Sequence, residues 1–157
     1  MNIKLLVMDV DGTLTDGKIY IGNEGEVLKA FNAKDGYGIV MLRKKGVVPV
    51  IITGRKSRIV ETRAKELGID ELYQGIMDKL SQLESVAEKY GVKSSQIAYI
   101  GDDLNDLDCI RHCGLTACPN DAVDTLKSHV DYVCEKDGGS GAVREFIDWI
   151  CLSCRNI

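Results

Sequence analysis

No apolar run in these 157 residues approaches the roughly 18 that a membrane-spanning helix needs, and the first residues lack the basic stretch, apolar segment and small-residue cleavage site of a secretory signal. A membrane partner is not expected, and the cytoplasm is the expected location. A basic stripe is missing as well. The 20 Lys and Arg are scattered among 24 Asp and Glu, for a formal net charge of −4, which leaves nothing to gather a phosphate backbone. Nucleic acid is therefore not an expected partner. The chain has only 2 His, and neither is spaced to complete a zinc site with Cys109 and Cys113 or with the CxxC of Cys151 and Cys154. The 6 cysteines are expected to be reduced and mostly buried, because a chain of this size with 45% hydrophobic residues needs no disulfide framework. Repeats, low-complexity segments and linkers are absent too, so a single domain over 1–157 is expected.

What is present is an alternation of two periodicities. "IKLLVM" (3–8), "VVPVII" (47–52), "IAYI" (97–100) and "GLTA" (114–117) read as short buried strands, with a weaker echo in "HVDYVC" (129–134). Helical patterns lie between them near 35–45, 56–67, 78–90, 103–112, 121–127 and 140–152, several ending at a glycine such as Gly46, Gly68 or Gly91. A βαβ rhythm of this kind predicts an α/β fold: a Rossmann-like, mostly parallel sheet with helices on both faces. One segment breaks the rhythm. "GKIYIGNEGEVLKAFNAKDGYG" (17–38) has two extended stretches about Gly-Asn-Glu-Gly, which predicts a projecting β-hairpin over about 17–32.

The chemistry gathers at the predicted strand ends. Asp9 and Asp11 in "MDVDGTLTDG" are two apart, so both can point to one side as the first strand finishes, and Gly12 lets the backbone turn away. They would face the crevice at the carboxyl ends of the strands, where open α/β sheets bind ligands. Two like charges so close repel unless a cation or proton lies between them. Thr53, Gly54 and Arg55 follow the second core strand, Lys79 begins a helix, and Asp102, Asp103 and Asp106 follow another strand in "IAYIGDDLND". Each piece alone has an ordinary structural reading as a turn, a cap or a solvated cation. Their order is what points to a site: two spaced acids, a hydroxyl, a cation, then a second acid cluster.

This ordered set resembles the four motifs of the haloacid dehalogenase superfamily of phosphotransferases, as DVDGT (9–13), Thr53 in "IITGR", Lys79 and GDDLND (101–106). The resemblance implies Asp9 as the nucleophile that forms an aspartyl phosphate and Asp11 as the general acid and then base. It implies Thr53 and Lys79 as ligands of the phosphoryl oxygens. It also implies Mg²⁺ held by the carboxylates of Asp9 and Asp102 and by the backbone carbonyl of Asp11, with Asp103, Asn105 and Asp106 in support and Asp106 orienting Lys79 or a metal-bound water.

The superfamily's mobile cap would need a large insert between the first and second motifs or the second and third. Here the first gap holds the hairpin and one helix, and the second only a helix and a short strand, so no cap domain is expected. An open site recognises a small molecule poorly unless neighbouring subunits close it, and a projecting ribbon gains stability by pairing with copies of itself. Together with "FNAKDGYGI" (31–39), "ITGRKSRIVETRAKELGI" (52–69) and "KDGGSGAVREFIDWI" (136–150), this arrangement is similar to the capless branch that contains the 3-deoxy-D-manno-octulosonate 8-phosphate phosphatases. That resemblance implies a homotetramer joined through its hairpins, with neighbours completing each active site, and a small phosphorylated sugar acid as substrate. Thr53, Gly54, Arg55, Arg63 and Lys79 would bind it, and the glycine-rich 138–141 stretch would be a flexible segment near a neighbour's pocket, where Lys136 or Arg144 could meet the substrate carboxylate. A capped helix after a plain loop explains that last stretch equally well.

Three alternatives stay open at this point. Relatives that act on nine-carbon 9-phosphates tend to carry an acid at the place of Arg55, which favours the eight-carbon acid, whereas the lack of an extension before the first strand keeps 2-keto-3-deoxynononate or N-acetylneuraminate 9-phosphate in view. A catalytically idle oligomerisation module is the second, although all five of Asp9, Asp11, Thr53, Lys79 and Asp102 are retained. A protein phosphatase, which would be a monomer, is the third.

Overall fold

The computed structural model describes residues 2–153. Six strands form one sheet: β1 (Leu5–Met8), β4 (Val48–Thr53), β5 (Glu71–Gln74), β6 (Ile97–Ile100), β7 (Leu115–Cys118) and β8 (Tyr132–Val133). Their order is β5-β4-β1-β6-β7-β8, and every neighbouring pair is parallel. All four β1 residues are buried, as a central parallel strand covered on both faces requires. The pleat divides them. Leu6 and Met8 join a core with Ile51, Ala98 and Ile100, whereas Leu5 and Val7 join a second with Val50, Ile52 and Tyr99.

Helices α1 (Ala33–Lys44), α2 (Arg58–Leu67) and α6 (Ala142–Ser153) cover the first face through residues such as Ile39, Leu42, Val60, Ala64, Phe146 and Ile150. The second face is covered by α3 (Lys79–Tyr90), α4 (Leu107–His112) and the single turn α5 (Asp124–Lys127), through Leu83, Val86, Ile110 and Leu126. Boundaries follow their caps. Ser57 accepts from Val60 N–H at 3.4 Å, Asp78 accepts from Ser81 N–H at 3.0 Å, and α2 and α3 stop at Gly68 and Gly91, both left-handed with φ of 67° and 62°.

Several expectations shift. The helix expected at 121–127 shrinks to α5 because the residues before it are used elsewhere: Asn120 N–H donates to Lys136 O at 2.9 Å and Asp121 Oδ1 accepts from Gly138 N–H at 2.9 Å. The strand expected at 129–134 contracts to the two residues of β8. The helix expected from 103 begins as a 3₁₀ turn over Leu104–Asp106 before α4. The hairpin consists of β2 (Tyr20–Gly22) and β3 (Gly25–Leu28), antiparallel and separate from the main sheet. Among the described residues Cys109, Cys113, Cys118, Cys134 and Cys151 are free thiols, and Cys154 of the CxxC lies outside the described residues. No helix among the described residues is long and apolar enough to cross a membrane.

Candidate active site

In the order β4-β1-β6 the chain turns outward from β1 in one direction and returns to its other side, so the carboxyl ends of these three strands border a topological switch point. β1 delivers Asp9 and Asp11, β4 ends on Thr53, and β6 is followed by Asp102. A cleft of about 160 Å³ opens there, lined by Asp9, Asp11, Thr53, Gly54, Arg55, Asp102, Asp103 and Asn105.

The turn after β1 is wound tightly on Val10, whose carbonyl accepts from the N–H groups of Thr13, Leu14 and Thr15 at 3.1, 2.9 and 3.1 Å. Gly12 sits in it at φ 92°, and a Cβ there would lie 2.0 Å from Asp102 Oδ2. Glycine is thus required both by the backbone and by the approach of the second acid cluster. Thr13 Oγ1 then donates to Asp102 Oδ1 at 3.1 Å, linking the first motif to the last.

Lys79 opens α3, in the first turn, where the helix dipole disfavours a cation by about 0.3–1 kcal/mol. It is nonetheless buried, with Nζ 3.0 Å from Asp9 Oδ1 and 2.7 Å from Asp106 Oδ1. Burial works against its ammonium, but the two carboxylates outweigh that and hold its pKa above the ordinary lysine value. Asp106 is fully enclosed and uses both oxygens: Oδ1 also accepts from Tyr99 OH at 2.6 Å, while Oδ2 accepts from the N–H groups of Asp102 and Asp103 at 3.1 and 3.4 Å. It thereby bonds Lys79 and the acid loop together. Asp103 caps the 3₁₀ turn by accepting from Leu104 N–H at 2.7 Å.

Oxygens of Asp9, Asp102 and Asp106 lie within 4.8 Å of one another. Burial, then the charge of Asp106, pushes Asp9 up to about 6 despite Lys79. Burial, then Asp9 and Asp106, pushes Asp102 up to about 8, with Thr13 and Lys79 opposing. Three crowded carboxylates against one ammonium leave an excess of negative charge that a hard divalent cation would neutralise, and the donors are all oxygen. Since Asp106 is saturated by four donors, Asp9 and Asp102 are the carboxylates that fit such an ion.

Asp11 faces the cleft from the other side, paired with Lys29 and with Arg55 Nε 3.8 Å from its Oδ2. Arg55 is half exposed at the mouth. Arg63, expected among the substrate-binding residues, does not line the cleft of its own chain. The turn of α2 carries it toward α1, where its guanidinium lies over the Phe31 ring at 5.7 Å and pairs with Glu66 at 2.9 Å. Lys136 and Arg144 line a separate surface hollow beside the start of α6, and Arg144 is engaged with Asp148 at 2.9 Å. The glycine-rich stretch is seated against its own chain. Gly139 N–H donates to Thr13 O at 3.1 Å, and a Cβ on Gly138 would lie 1.9 Å from Gly12 O. These glycines let the loop press closely on the turn after β1.

Sequence reasoning passed over Lys29, Thr13 and Tyr99. Thr13 lies inside the first motif and Tyr99 inside a strand that read as plain core, and only their distant partners give them a polar task.

An acid pair on one strand end, a strand-end hydroxyl, a buried ammonium and a second acid cluster at a parallel switch point define an aspartate-based phosphoryl-transfer enzyme. A haloacid dehalogenase-like hydrolase family profile matches residues 71–147. The 3-deoxy-D-manno-octulosonate 8-phosphate phosphatase of Escherichia coli is 47% identical over 152 residues, covering 97% of this chain and 81% of that protein. The crystal structure of the phosphatase of that name from Yersinia pestis matches with a TM-score of 0.95 at 46% identity, over 99% of this chain and 84% of that one. The one from Moraxella catarrhalis, solved in complex with magnesium, phosphate and KDO, matches with a TM-score of 0.94 at 44% identity, over 98% and 88%. The chain belongs to the 3-deoxy-D-manno-octulosonate 8-phosphate phosphatase family of haloacid dehalogenase-like hydrolases.

Proposed function

We propose that this chain is a magnesium-dependent phosphomonoesterase that hydrolyses 3-deoxy-D-manno-octulosonate 8-phosphate to the free sugar acid and phosphate. The observation that carries the reading is the meeting of Asp9, Asp11, Thr53 and Asp102 in one cleft, with Lys79 bound to Asp9 beneath it. A carboxylate oxygen of Asp9 attacks phosphorus and the bond to the sugar oxygen breaks. Asp11 gives its proton to the departing alkoxide, so the alcohol leaves neutral. The resulting acyl phosphate is labile: Asp11, now a carboxylate, takes a proton from water, the hydroxide attacks phosphorus, and Asp9 is released with inorganic phosphate. Thr53 and Lys79 hold the non-bridging oxygens on which charge collects.

The Asp9 and Asp102 carboxylates and the Asp11 carbonyl would hold magnesium, whose charge, when it is bound, screens the anionic nucleophile from the anionic phosphate. Arg55 lines the cleft, and in this reading its guanidinium meets the substrate carboxylate. Neither gap between the motifs holds a cap, so the surface for the sugar must come from elsewhere. The hairpin supports assembly as that source, since Ile21 and Val27 are 65% and 58% exposed on a ribbon that is marginal alone. A homotetramer joined at its hairpins, working in the cytoplasm, fits this reading.

The test is phosphate release from 3-deoxy-D-manno-octulosonate 8-phosphate with and without chelator. Turnover is expected to vanish when magnesium is removed and to return on its addition, and Asp9→Asn is expected to lose at least about 10³-fold in kcat with an unchanged circular dichroism spectrum. Activity that survives chelation, or that survives in Asp9→Asn, would overturn it.

A further inference from the structure

Lys29 follows β3 on the exposed hairpin, yet its side chain is only 2% exposed. Its Nζ donates to Asp11 Oδ1 and lies 2.9 Å from Glu26 Oε1. Glu26 in turn accepts a hydrogen bond from Ser57 Oγ, the N-cap of α2. A continuous polar chain therefore runs from the start of α2 through the hairpin to Asp11.

Lys29 does not line the cleft, whereas Asp11 does. It thus reaches the cleft only through its contact with Asp11. With Oδ1 engaged from behind by Lys29, Oδ2 is the Asp11 oxygen turned toward Arg55 at the cleft mouth. We propose that Lys29 is a positioning residue for proton transfer: it fixes the Asp11 carboxyl so that Oδ2 exchanges the proton with the leaving alkoxide and then with water. The inference rests on the acid–base reading of Asp11 above. In both steps the proton moves between Asp11 and substrate or water, and Lys29 keeps its own. The same contact makes the hairpin part of the catalytic apparatus, since Lys29 is carried at the end of β3.

Steady-state kinetics of the magnesium-saturated full chain on 3-deoxy-D-manno-octulosonate 8-phosphate test this with Lys29→Met, Lys29→Arg, Asp11→Asn and the double variant Lys29→Met with Asp11→Asn. Lys29→Met is expected to lower kcat by about 10²-fold, the scale of one acid–base contribution, with KM within about threefold. Lys29→Arg is expected to recover about tenfold of that loss, because a cation is restored. In the Asp11→Asn background the lysine change is expected to cost less than about twofold, the signature of a residue that acts through another. A Lys29→Met kcat within about twofold of wild type, or the same loss in both backgrounds, would overturn the proposal. If Lys29→Met fails to fold by circular dichroism, Lys29→Gln and Lys29→Arg carry the comparison, and a Lys29→Gln enzyme with kcat within about twofold of wild type would overturn it equally. Full activity in Asp11→Asn would instead remove the acid–base reading itself, and the inference with it.

Discussion

Asp35 stands in the first turn of α1 with 1% of its surface exposed, outside the catalytic cleft. Its Oδ1 accepts from Arg144 N–H at 2.8 Å, and among the described residues Oδ2 has no hydrogen-bond partner. Burial pushes its pKa up to about 6, against the Arg144 N–H bond and the charges of Arg63 and Arg144. The folded value lies above the ordinary 3.8, so folding disfavours the ionised form. Stability is therefore reduced above about pH 6 by up to about 3 kcal/mol, recovers as pH falls from about 6 to about 4, and is unaffected by this group at lower pH. Asp35→Asn is expected to raise Tm by about 3–8 °C at about pH 8, with the difference vanishing near pH 4. A variant no more stable than wild type at the higher pH would contradict this. At this scale the motif acids were legible, because two-residue spacing at a strand end dictates direction. Lys29 and Asp35 were not. Each takes its importance from partners brought in by another element, as Asp35 does from a residue 109 positions away.

Among the elements, the hairpin carries the most unspent surface. Ile21 and Val27 are exposed while Lys29, one residue beyond β3, is locked behind Asp11. The double substitution Ile21→Glu with Val27→Glu is expected to reduce the mass measured by light scattering from that of a tetramer to that of a monomer, with the secondary structure retained, since a charge at the centre of an apolar contact costs several kcal/mol per interface. A wild-type chain that is already monomeric at micromolar concentration, or an unchanged mass in the variant, would contradict the assembly. The hairpin itself was legible in Gly-Asn-Glu-Gly, which places the turn between Gly22 and Gly25. Its reach into the site was not, since nothing local to β3 says where its last side chain will land. The packing of the glycine-rich stretch was not legible for a related reason. Glycine reads locally as freedom, but at Gly138 it serves close backbone approach to Gly12, a fact of the tertiary fold alone.

The whole molecule follows from a rhythm that sequence carries well: apolar runs and helical periods alternate, so a parallel sheet with two helical layers was legible before its strand order. The order matters more to function, because only the adjacency of β4, β1 and β6 brings three separate motifs to one cleft. That adjacency could be inferred from chemistry, since acids, hydroxyl and ammonium make sense only together, but not from periodicity. The short β5 and β8 and the single turn of α5 lie at the periphery, where few residues specify structure and tertiary contacts decide it. Substrate choice also belongs to this scale, because a cleft of about 160 Å³ is small beside the pockets of roughly 300–1,000 Å³ that enclose a whole small molecule.

The most direct test of the central claim is kcat/KM for magnesium-dependent phosphate release from 3-deoxy-D-manno-octulosonate 8-phosphate, measured beside 2-keto-3-deoxynononate 9-phosphate and N-acetylneuraminate 9-phosphate. The expected result is a preference of about a hundredfold for the eight-carbon acid, or about 2.7 kcal/mol of differential transition-state binding. Equal rates on all three, or a preference for either nine-carbon acid, would contradict it.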